Sequence, residues 1–378
     1  MSWTHRDRVM AALNHEQPDR VPIDFGGTFV SSIYLSAYDR LKAHLGLDHE
    51  TAVMSKRRGL ALVDESILER FDVDTRCLDL GPPDDAAEEG AGDSYVDPWG
   101  TTWRRAADGH YLYVDGHFFG QKHPDVNDID SVPWPDPDDP GYTRGLAERA
   151  EALRRDTDCA IILNLPLGVV HQGQFVRGFG DWLKDLYKHR DFVCRLMDVS
   201  ADFWVRLTEK ALDCVGDNVD VVMFGDDLGT QMAPMFNPDI YRELVKPHHA
   251  RMVETVRAKS GAKVLLHSCG AIAPLIEDLI DVGIDAVNPV QITAKGMEPE
   301  HLKQAFGRRM TFWGGIDSQQ ILPFGNPQEV RGEVRRMIDC MAGEGGFVLN
   351  SIHNIQADVA PENIVAMFEE ARAYGGPH

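Results

Sequence analysis

The sequence is poor in positive charge. Its 378 residues include 38 Lys and Arg against 60 Asp and Glu, so the formal net charge is −22. A nucleic-acid-binding protein needs a concentrated basic face, and an anionic membrane surface repels a protein of this charge. We therefore expect neither a nucleic acid nor a membrane as a partner.

Long apolar runs and paired cysteines are also missing. The sequence has no run of about 18 apolar residues, the length that a membrane span needs, and its first residues lack the apolar core of a signal peptide. The six cysteines are irregularly spaced and form no Cys-x-x-Cys pair. This usage is typical of reduced thiols in a cytosolic protein, so we expect a cytoplasmic location.

What the sequence does have is a repeated alternation of short apolar runs and amphipathic helical segments. The runs are nearly continuous in apolar residues, as strands covered on both faces are. They span Arg20–Phe25, Arg76–Leu80, Ala160–Leu165, Val219–Phe224, Lys263–His267, Ala286–Val290, Met310–Trp313 and Gly346–Asn350. Helical segments such as Asp191–Gly216 and Pro327–Gly343 are long enough to cross back between parallel strands.

Eight strand–helix units predict an α/β fold of the (β/α)8 TIM-barrel type, preceded by an N-terminal helical extension. A doubly wound open sheet is the alternative, but no Gly-x-Gly-x-x-Gly follows the first run. We expect one barrel domain over residues 1–378. Residues 84–142 interrupt the alternation, and we interpret them as a hairpin and loop insertion after strand 2 that lies over one barrel mouth.

The insertion is rich in aromatic residues around a predicted Asp108-Gly109 turn. Trp99, Trp103 and Tyr113 would suit an aromatic or quaternary-ammonium ligand at a substrate entrance. The alternative is that these rings pack against one another.

His267-Ser268-Cys269-Gly270 is the most informative segment, because it follows a buried strand at the end where barrel enzymes carry their reactive groups. An imidazole and a thiolate two residues apart point the same way along an extended chain. Both are ligands that Zn2+ prefers, and one or two further groups would complete a tetrahedral site. The alternative is a small buried thiol beside a hydrogen-bonding histidine.

Other polar residues follow the remaining strands. Asp226 and Asp227 end the run Val219–Phe224 and could cap a helix, bind a cation or act as acid and base. His353 follows the last strand and could lie near His267, or it could hydrogen-bond a neighbouring loop. We expect substrate contacts from the strand-end residues Asn164, Asn288 and Trp313.

Several segments resemble the uroporphyrinogen decarboxylase superfamily. They are Arg6–Asp24, His267–Gly270, Trp313–Asp317, Asn350–Gln356 and Pro361–Asn363. The likeness covers nearly the whole chain and implies a (β/α)8 barrel, as the strand count does. It also implies one of two chemistries, cofactor-free decarboxylation or zinc-dependent methyl transfer to and from a corrinoid.

The decarboxylases of this superfamily grip a porphyrinogen with an arginine-rich segment after the first strand. The corresponding stretch here, Phe25–Tyr34, contains no arginine, although His353 matches their late histidine. The zinc methyltransferases carry His-x-Cys at a strand end and a late cysteine. His267 and Cys269 match the first two positions, and His353 stands at the third; Cys340 lies in the preceding helix, near the opposite barrel face.

The resemblance therefore implies a zinc methyltransferase component that acts on a small O-, N- or S-methyl substrate. Its metal ligands would be His267 and Cys269 with His353 or Asp226, and Asp226, Asp227 and His353 would be the catalytic groups. The sequence has no corrinoid-binding Asp-x-His-x-x-Gly segment, so the corrinoid would sit on a partner protein. A homodimer is a further expectation. The alternatives are a decarboxylase acting on a porphyrinogen or a smaller acid, and a binding protein that has lost the site.

Overall fold

The computed structural model describes residues 3–90, 92–107, 109–165 and 168–375. The strands are β1 (Ile33–Tyr34), β2 (Val53–Ser55), β3 (Leu60–Ala61), β4 (Thr75–Asp79), β5 (Ser94–Val96), β6 (Thr102–Arg105), β7 (Tyr111–Asp115), β8 (Ala160–Asn164), β9 (Val221–Gly225), β10 (Lys263–His267), β11 (Ala286–Asn288), β12 (Thr311–Ile316) and β13 (Phe347–Ser351).

The α-helices are α1 (His5–Leu13), α2 (Leu35–His44), α3 (Glu65–Arg70), α4 (Val126–Ile129), α5 (Leu146–Asp156), α6 (Val169–Arg177), α7 (Phe179–Lys188), α8 (Arg190–Val215), α9 (Pro238–Ile240), α10 (Lys246–Lys259), α11 (Ile276–Val282), α12 (Pro299–Phe306), α13 (Ile321–Phe324), α14 (Pro327–Met341) and α15 (Pro361–Tyr374). A π-helical turn, Tyr241–Val245, joins α9 to α10.

The predicted barrel is confirmed. Within the described residues a curled parallel sheet of seven strands has the order β13, β12, β11, β10, β9, β8, β4, and the helices surround it. Every residue of β8, β9, β11, β12 and β13 is buried, as the continuous apolar runs predicted. Each strand of this sheet begins and ends within three residues of its predicted run.

The first run, Arg20–Phe25, is corrected by the structure. It lies between β13 and β4 but forms only a single parallel bridge, at Ile23, to Leu349. The Ile23 carbonyl accepts the Asp74 N–H at 2.9 Å, whereas the Ile23 N–H donates to the Asp74 carboxylate at 2.7 Å. A side chain thus replaces a backbone partner, and no regular strand forms in this eighth position.

Helix α1 closes the N-terminal end of the barrel. Its side chains Val9, Ala12 and Leu13 pack into the apolar cluster that fills the barrel interior. Thr4 caps this helix, accepting a hydrogen bond from the Asp7 N–H at 3.0 Å. Because one end is filled, ligands can enter only at the C-terminal ends of the strands.

Two small antiparallel sheets flank the barrel. Strands β1, β3 and β2 form, in this order, a sheet that the sequence did not predict. The turn between β2 and β3 carries Arg58. The predicted hairpin region forms the sheet β5, β6, β7, although the expected turn residue Asp108 lies outside the described residues. The interpretation of 84–142 as an insertion within one domain stays a prediction.

The aromatic residues of this region pack against helices. The Trp99 ring lies 4.9 Å from the Phe203 ring of α8, and the Trp103 ring lies 5.0 Å from the Phe175 ring of α6. Tyr113 also contacts Phe175, with ring centroids 5.0 Å apart. The rings therefore attach the small sheet to the barrel, and of the three only Trp103 and Tyr113 pack against each other, with ring centroids 5.8 Å apart.

Among the described residues, we find no helix with the length and apolarity that crossing a bilayer requires.

Candidate functional site

The predicted site residues lie at one rim of the barrel. His267 and Asn288 are the last residues of the neighbouring strands β10 and β11. Asp226 follows β9, and Cys269 and His353 each lie two residues past a strand end. Parallel strands bring these carboxyl ends together, which is why barrel enzymes place their chemistry there.

Three potential metal ligands converge at this rim. His267, Cys269 and His353 each offer a ligand atom, and the three atoms lie within 4.8 Å of one another. Cys269 Sγ lies 3.5 Å from His267 Nε2. Two ligands of one tetrahedral zinc, with Zn–S of about 2.3 Å and Zn–N of about 2.0–2.1 Å, stand about 3.6 Å apart. The spacing therefore fits a shared zinc ion.

A hydrogen-bond chain sets the proton position on His267. The Asn288 amide nitrogen donates to the Trp313 carbonyl at 3.1 Å, which turns the amide oxygen toward His267. That oxygen lies 2.7 Å from His267 Nδ1. Because an amide oxygen only accepts, Nδ1 carries the proton and Nε2 presents its lone pair to Cys269. Burial lowers the pKa of His267 and so favours this neutral form.

This arrangement changes the roles of two predicted substrate residues. Trp313 is fully buried inside the barrel, and its Nε1 donates to Asp24 at 2.8 Å. Asn288 is also buried, and its amide groups are occupied by His267 and Trp313. Both residues therefore position the imidazole, and the prediction that they contact substrate finds no support.

His353 is less ready to act as a ligand than His267. It adopts a left-handed backbone conformation, φ 64°, and its Nδ1 accepts the N–H of Asn354 at 2.8 Å. The neutral ring therefore carries its proton on Nε2. Burial lowers the pKa of His353 to about 3, so the ring is neutral at ordinary pH. Binding a metal through either nitrogen would cost His353 its bond from Asn354.

Cys269 is a thiol in this environment. Burial raises its pKa well above the usual value, and the nearby Asp227 carboxylate raises it further. A bound metal ion reverses this preference, because a coordinating thiol gives up its proton. The arrangement therefore suits a thiolate that forms when a metal binds.

Asp227 supports the segment that carries the thiol. Its Oδ1 accepts the Cys269 N–H at 2.8 Å and lies 3.8 Å from His267 Nε2, and its Oδ2 lies 3.5 Å from His171 Nε2. Burial raises the pKa of this carboxyl, but the His171 imidazole outweighs it and holds the pKa well below its usual range. Asp227 is therefore an anion beside the cluster.

The structure does not bring Asp226 to the cluster. Its carboxylate is completely buried and accepts hydrogen bonds from the His171 N–H at 2.8 Å and from His249 Nε2 at 2.9 Å. A Cβ at Gly168 would lie 2.2 Å from Asp226 Oδ2, so the chain crosses directly over this carboxylate. Its oxygens are thus occupied, which argues against the prediction of Asp226 as a third ligand.

A cavity of about 190 Å3 lies at the turn between β2 and β3, and none of the three candidate metal ligands lines it. Asn164 lines it together with Asp79, Arg58 and Trp204, and the substrate contact expected of Asn164 stays a prediction. Arg58 lies close enough to His267 and His353 for its charge to lower the pKa of both imidazoles. Arg58 therefore links the cavity to the candidate metal ligands through its charge.

Sequence reasoning missed two residues of this site. His171 lies in the first turn of α6, outside any motif, and only the fold brings it to the two aspartates. Arg58 lies on the turn of a sheet whose strands have two or three residues, too few for a periodic pattern. The adjacent arginines at 57 and 58 in an otherwise acidic chain are the one signal that could have drawn attention to this turn.

The chain resembles known proteins at two levels. A family model described as uroporphyrinogen decarboxylase (URO-D) matches residues 163–374, more than half of the chain. A curated uroporphyrinogen decarboxylase from Methylococcus capsulatus is 28% identical over 99 residues, which are 26% of this chain and 27% of that protein. One from Ralstonia pickettii is 24% identical over 195 residues, which are 50% of this chain and 49% of that protein.

The chain thus spans about half the length, or less, of these curated relatives. A solved methyltransferase from Methanosarcina mazei superposes with a TM-score of 0.66 at 18% identity, covering 99% of both chains. At this identity the likeness establishes the fold.

Proposed function

The chain belongs to the uroporphyrinogen decarboxylase family, and from that premise we propose that it is a zinc-dependent methyltransferase component. It moves a methyl group between a small O-, N- or S-methyl substrate and a corrinoid on a partner protein. The observation that carries this proposal is the 3.5 Å approach of Cys269 Sγ to the lone pair of His267 Nε2. This donor pair suits zinc and has no role in cofactor-free decarboxylation.

His267 and Cys269 would hold the ion, with His353 as the third ligand. Bound zinc supplies Lewis acidity, which makes a poor leaving group such as an alkoxide or amine easier to displace. Asn288 keeps the His267 lone pair directed at the site. Asp227 holds the Cys269 backbone through its N–H, and the filled barrel interior confines the substrate to the C-terminal rim.

We propose a corrinoid partner because this sequence lacks a corrinoid-binding motif of its own. The sequence has no corrinoid-binding segment of the Asp-x-His-x-x-Gly type, and cobalt must then be presented by another chain. The rim is the surface where the partner would dock, since it is the open end of the barrel. The solved methyltransferase from Methanosarcina mazei, which has the same fold over its whole length, supports the methyl-transfer part of the proposal.

The decarboxylase alternative is favoured by one specific observation. Burial raises the pKa of the Asp79 carboxyl, and this residue lines the same cavity as Asn164. A neutral carboxyl group in this cavity could deliver a proton to a carbanion. The names of the curated relatives point the same way. The absence of arginine in Phe25–Tyr34 argues against a porphyrinogen, so the substrate would be a smaller acid.

One experiment separates the two functions. The zinc-loaded protein is incubated with free cob(I)alamin and a panel of methyl ethers, methylamines and methyl thioethers, and formation of methylcobalamin is followed by its absorption spectrum. The proposal predicts methylcobalamin formation that is lost on chelation and restored by zinc. Release of CO2 from an acid by chelated protein, without any methylcobalamin, would instead establish the decarboxylase.

A further inference from the structure

The turn between β2 and β3 places Arg58 at the edge of the 190 Å3 cavity. Its guanidinium carbon lies over the Phe29 ring, 4.7 Å from the ring centre. Among the described residues, none places a carboxylate within ion-pairing distance of this guanidinium, although its neighbour Arg57 approaches Glu89 at 4.0 Å. Arg58 is therefore held in place without a counter-ion.

The acidic residues around the cavity do not neutralise Arg58. Glu89 accepts hydrogen bonds from the Ser55 hydroxyl and from the Arg57 N–H, and Arg57 supplies its positive partner. Burial raises the pKa of Asp79, which favours its neutral form. Arg58 thus has no carboxylate of the described residues in direct contact in the cavity, although the net charge of the protein is −22.

Two buried polar atoms of the cavity wall also lack partners within the described residues. Trp204 Nε1 is a donor without an acceptor, and Asn164 Oδ1 is an acceptor without a donor. Both side chains line the cavity and are at most 3% exposed. Both polar atoms are closed off from the cavity in this conformation, so neither contacts a ligand unless its side chain turns.

We propose that Arg58 binds a carboxylate of the substrate, so that the enzyme acts on small anionic methyl compounds. A guanidinium fork matches a carboxylate with two parallel hydrogen bonds. The cavity is smaller than the pockets of about 300–1,000 Å3 that hold drug-sized ligands, so the anion is a small one. The methyl part of this inference rests on the proposed function.

The test compares methoxy acids with their neutral carboxamides. Methoxyacetate and methoxyacetamide form the first pair, and 2-methoxybenzoate and 2-methoxybenzamide the second. Binding to the full chain is measured by isothermal titration calorimetry, without turnover, on both zinc-loaded and chelated protein. We expect at least one acid to bind tenfold or more tightly than its amide.

The Arg58→Gln variant should lose at least tenfold in acid affinity and change amide affinity by less than twofold. The acid affinity of Arg58→Lys should lie between those of wild type and Arg58→Gln, because lysine keeps the positive charge but cannot make the two parallel hydrogen bonds of a guanidinium. Lys56→Gln is the matched control: it removes the same charge from the same turn at an exposed side chain that pairs with Glu88. It should change acid binding by less than twofold.

Equal effects of Arg58→Gln and Lys56→Gln would overturn the proposal, as would the lack of an acid preference in both pairs. An acid preference that needs zinc and survives Arg58→Gln would also overturn it, since the carboxylate would then bind the metal. Zinc stoichiometry is measured on every sample. Loss of zinc binding with a preserved Arg58-dependent acid preference would refute the proposed function and leave the anion site standing.

Discussion

Two groups of imidazoles lie side by side at this rim of the barrel, and they have opposite electrostatic characters. In the first, His267 faces an uncharged amide and a thiol, and burial lowers its pKa. In the second, burial alone would lower the pKa of His171, but the Asp227 and Asp226 carboxylates outweigh it and raise it to about 9. The same residue type is neutral in one group and a cation in the other.

The difference shows that the groups in contact with a histidine at this rim decide its role. A neutral imidazole whose proton is fixed on the far nitrogen can bind a metal ion through the lone pair of its other nitrogen. An imidazolium between carboxylates is an ion-pair partner, and it stabilises the loop that supports the site. The identity of the residue alone does not decide between these roles. The group that contacts the second ring nitrogen decides between them.

The largest expected effect comes from removing a ligand of the first group. Cys269→Ala and His267→Ala should abolish stoichiometric zinc binding and reduce methyl transfer by about 10^3-fold or more, since a bound metal contributes several kcal/mol to such reactions. Cys214→Ala, at an exposed thiol, is the control. His353→Ala should weaken zinc binding less than either, because His353 must give up a hydrogen bond to coordinate. Unchanged zinc content in Cys269→Ala would refute the assignment.

Removing a carboxylate from the second group should affect stability rather than zinc. Asp226→Asn puts an amide where two N–H groups donate, and breaking such a buried pair costs about 3–5 kcal/mol. We expect a drop of about 3 kcal/mol in the free energy of unfolding by urea, with zinc stoichiometry retained. The exposed Asp239→Asn is the control, with less than about 0.5 kcal/mol. Loss of zinc without loss of stability would make Asp226 a ligand.

The Asn288 amide sharpens the contrast, because it gives the first group its neutral character. Groups that hydrogen-bond a metal-ligating histidine typically contribute 10–100-fold to metal affinity. Asn288→Ala should therefore weaken zinc binding by about 10–100-fold in competition with a chromophoric chelator. Asn288→Asp keeps an acceptor for His267 Nδ1 and should recover most of the affinity. Equal losses in both variants would mean that Asn288 acts by packing alone.

The smallest expected effect is a pH dependence of the second group. The pKa of His171 is raised from about 6.5 in the unfolded chain to about 9 in the fold. Its contribution to stability is therefore complete below pH 6.5 and is lost as the pH rises through 9. Wild type should exceed His171→Gln by about 1–3 kcal/mol at pH 6 and by much less at pH 9.5, measured by urea unfolding. A difference that grows with pH would contradict the imidazolium assignment.

The predictability of the fold differs between its regular and irregular parts. Buried parallel strands such as β8 and β10 are continuous apolar runs, and the sequence shows them directly. The segment around Ile23 has the same apolar character, but its N–H pairs with the Asp74 side chain, a contact that no local pattern encodes. The β2–β3 sheet is too short to show a period.

The site shows a similar division. His267 and Cys269 could be found because their spacing on one strand end is local. The conversion of Asn288 and Trp313 into positioning residues could not be foreseen, since it depends on which neighbour each polar atom meets after folding. For the same reason the sequence offered Asp226 as a ligand, whereas the fold covers it with Gly168 and His249. Functional residues that lie close together in one segment can be identified from the sequence. Those that different segments bring together can be identified only from the structure.

The most direct test of the proposed zinc site is zinc K-edge X-ray absorption on the full chain with one equivalent of zinc. We predict a first shell with one sulfur at about 2.3 Å and nitrogen or oxygen donors at about 2.0–2.1 Å, and loss of the sulfur in Cys269→Ala. A shell without sulfur, or a spectrum that Cys269→Ala leaves unchanged, would contradict coordination by His267 and Cys269.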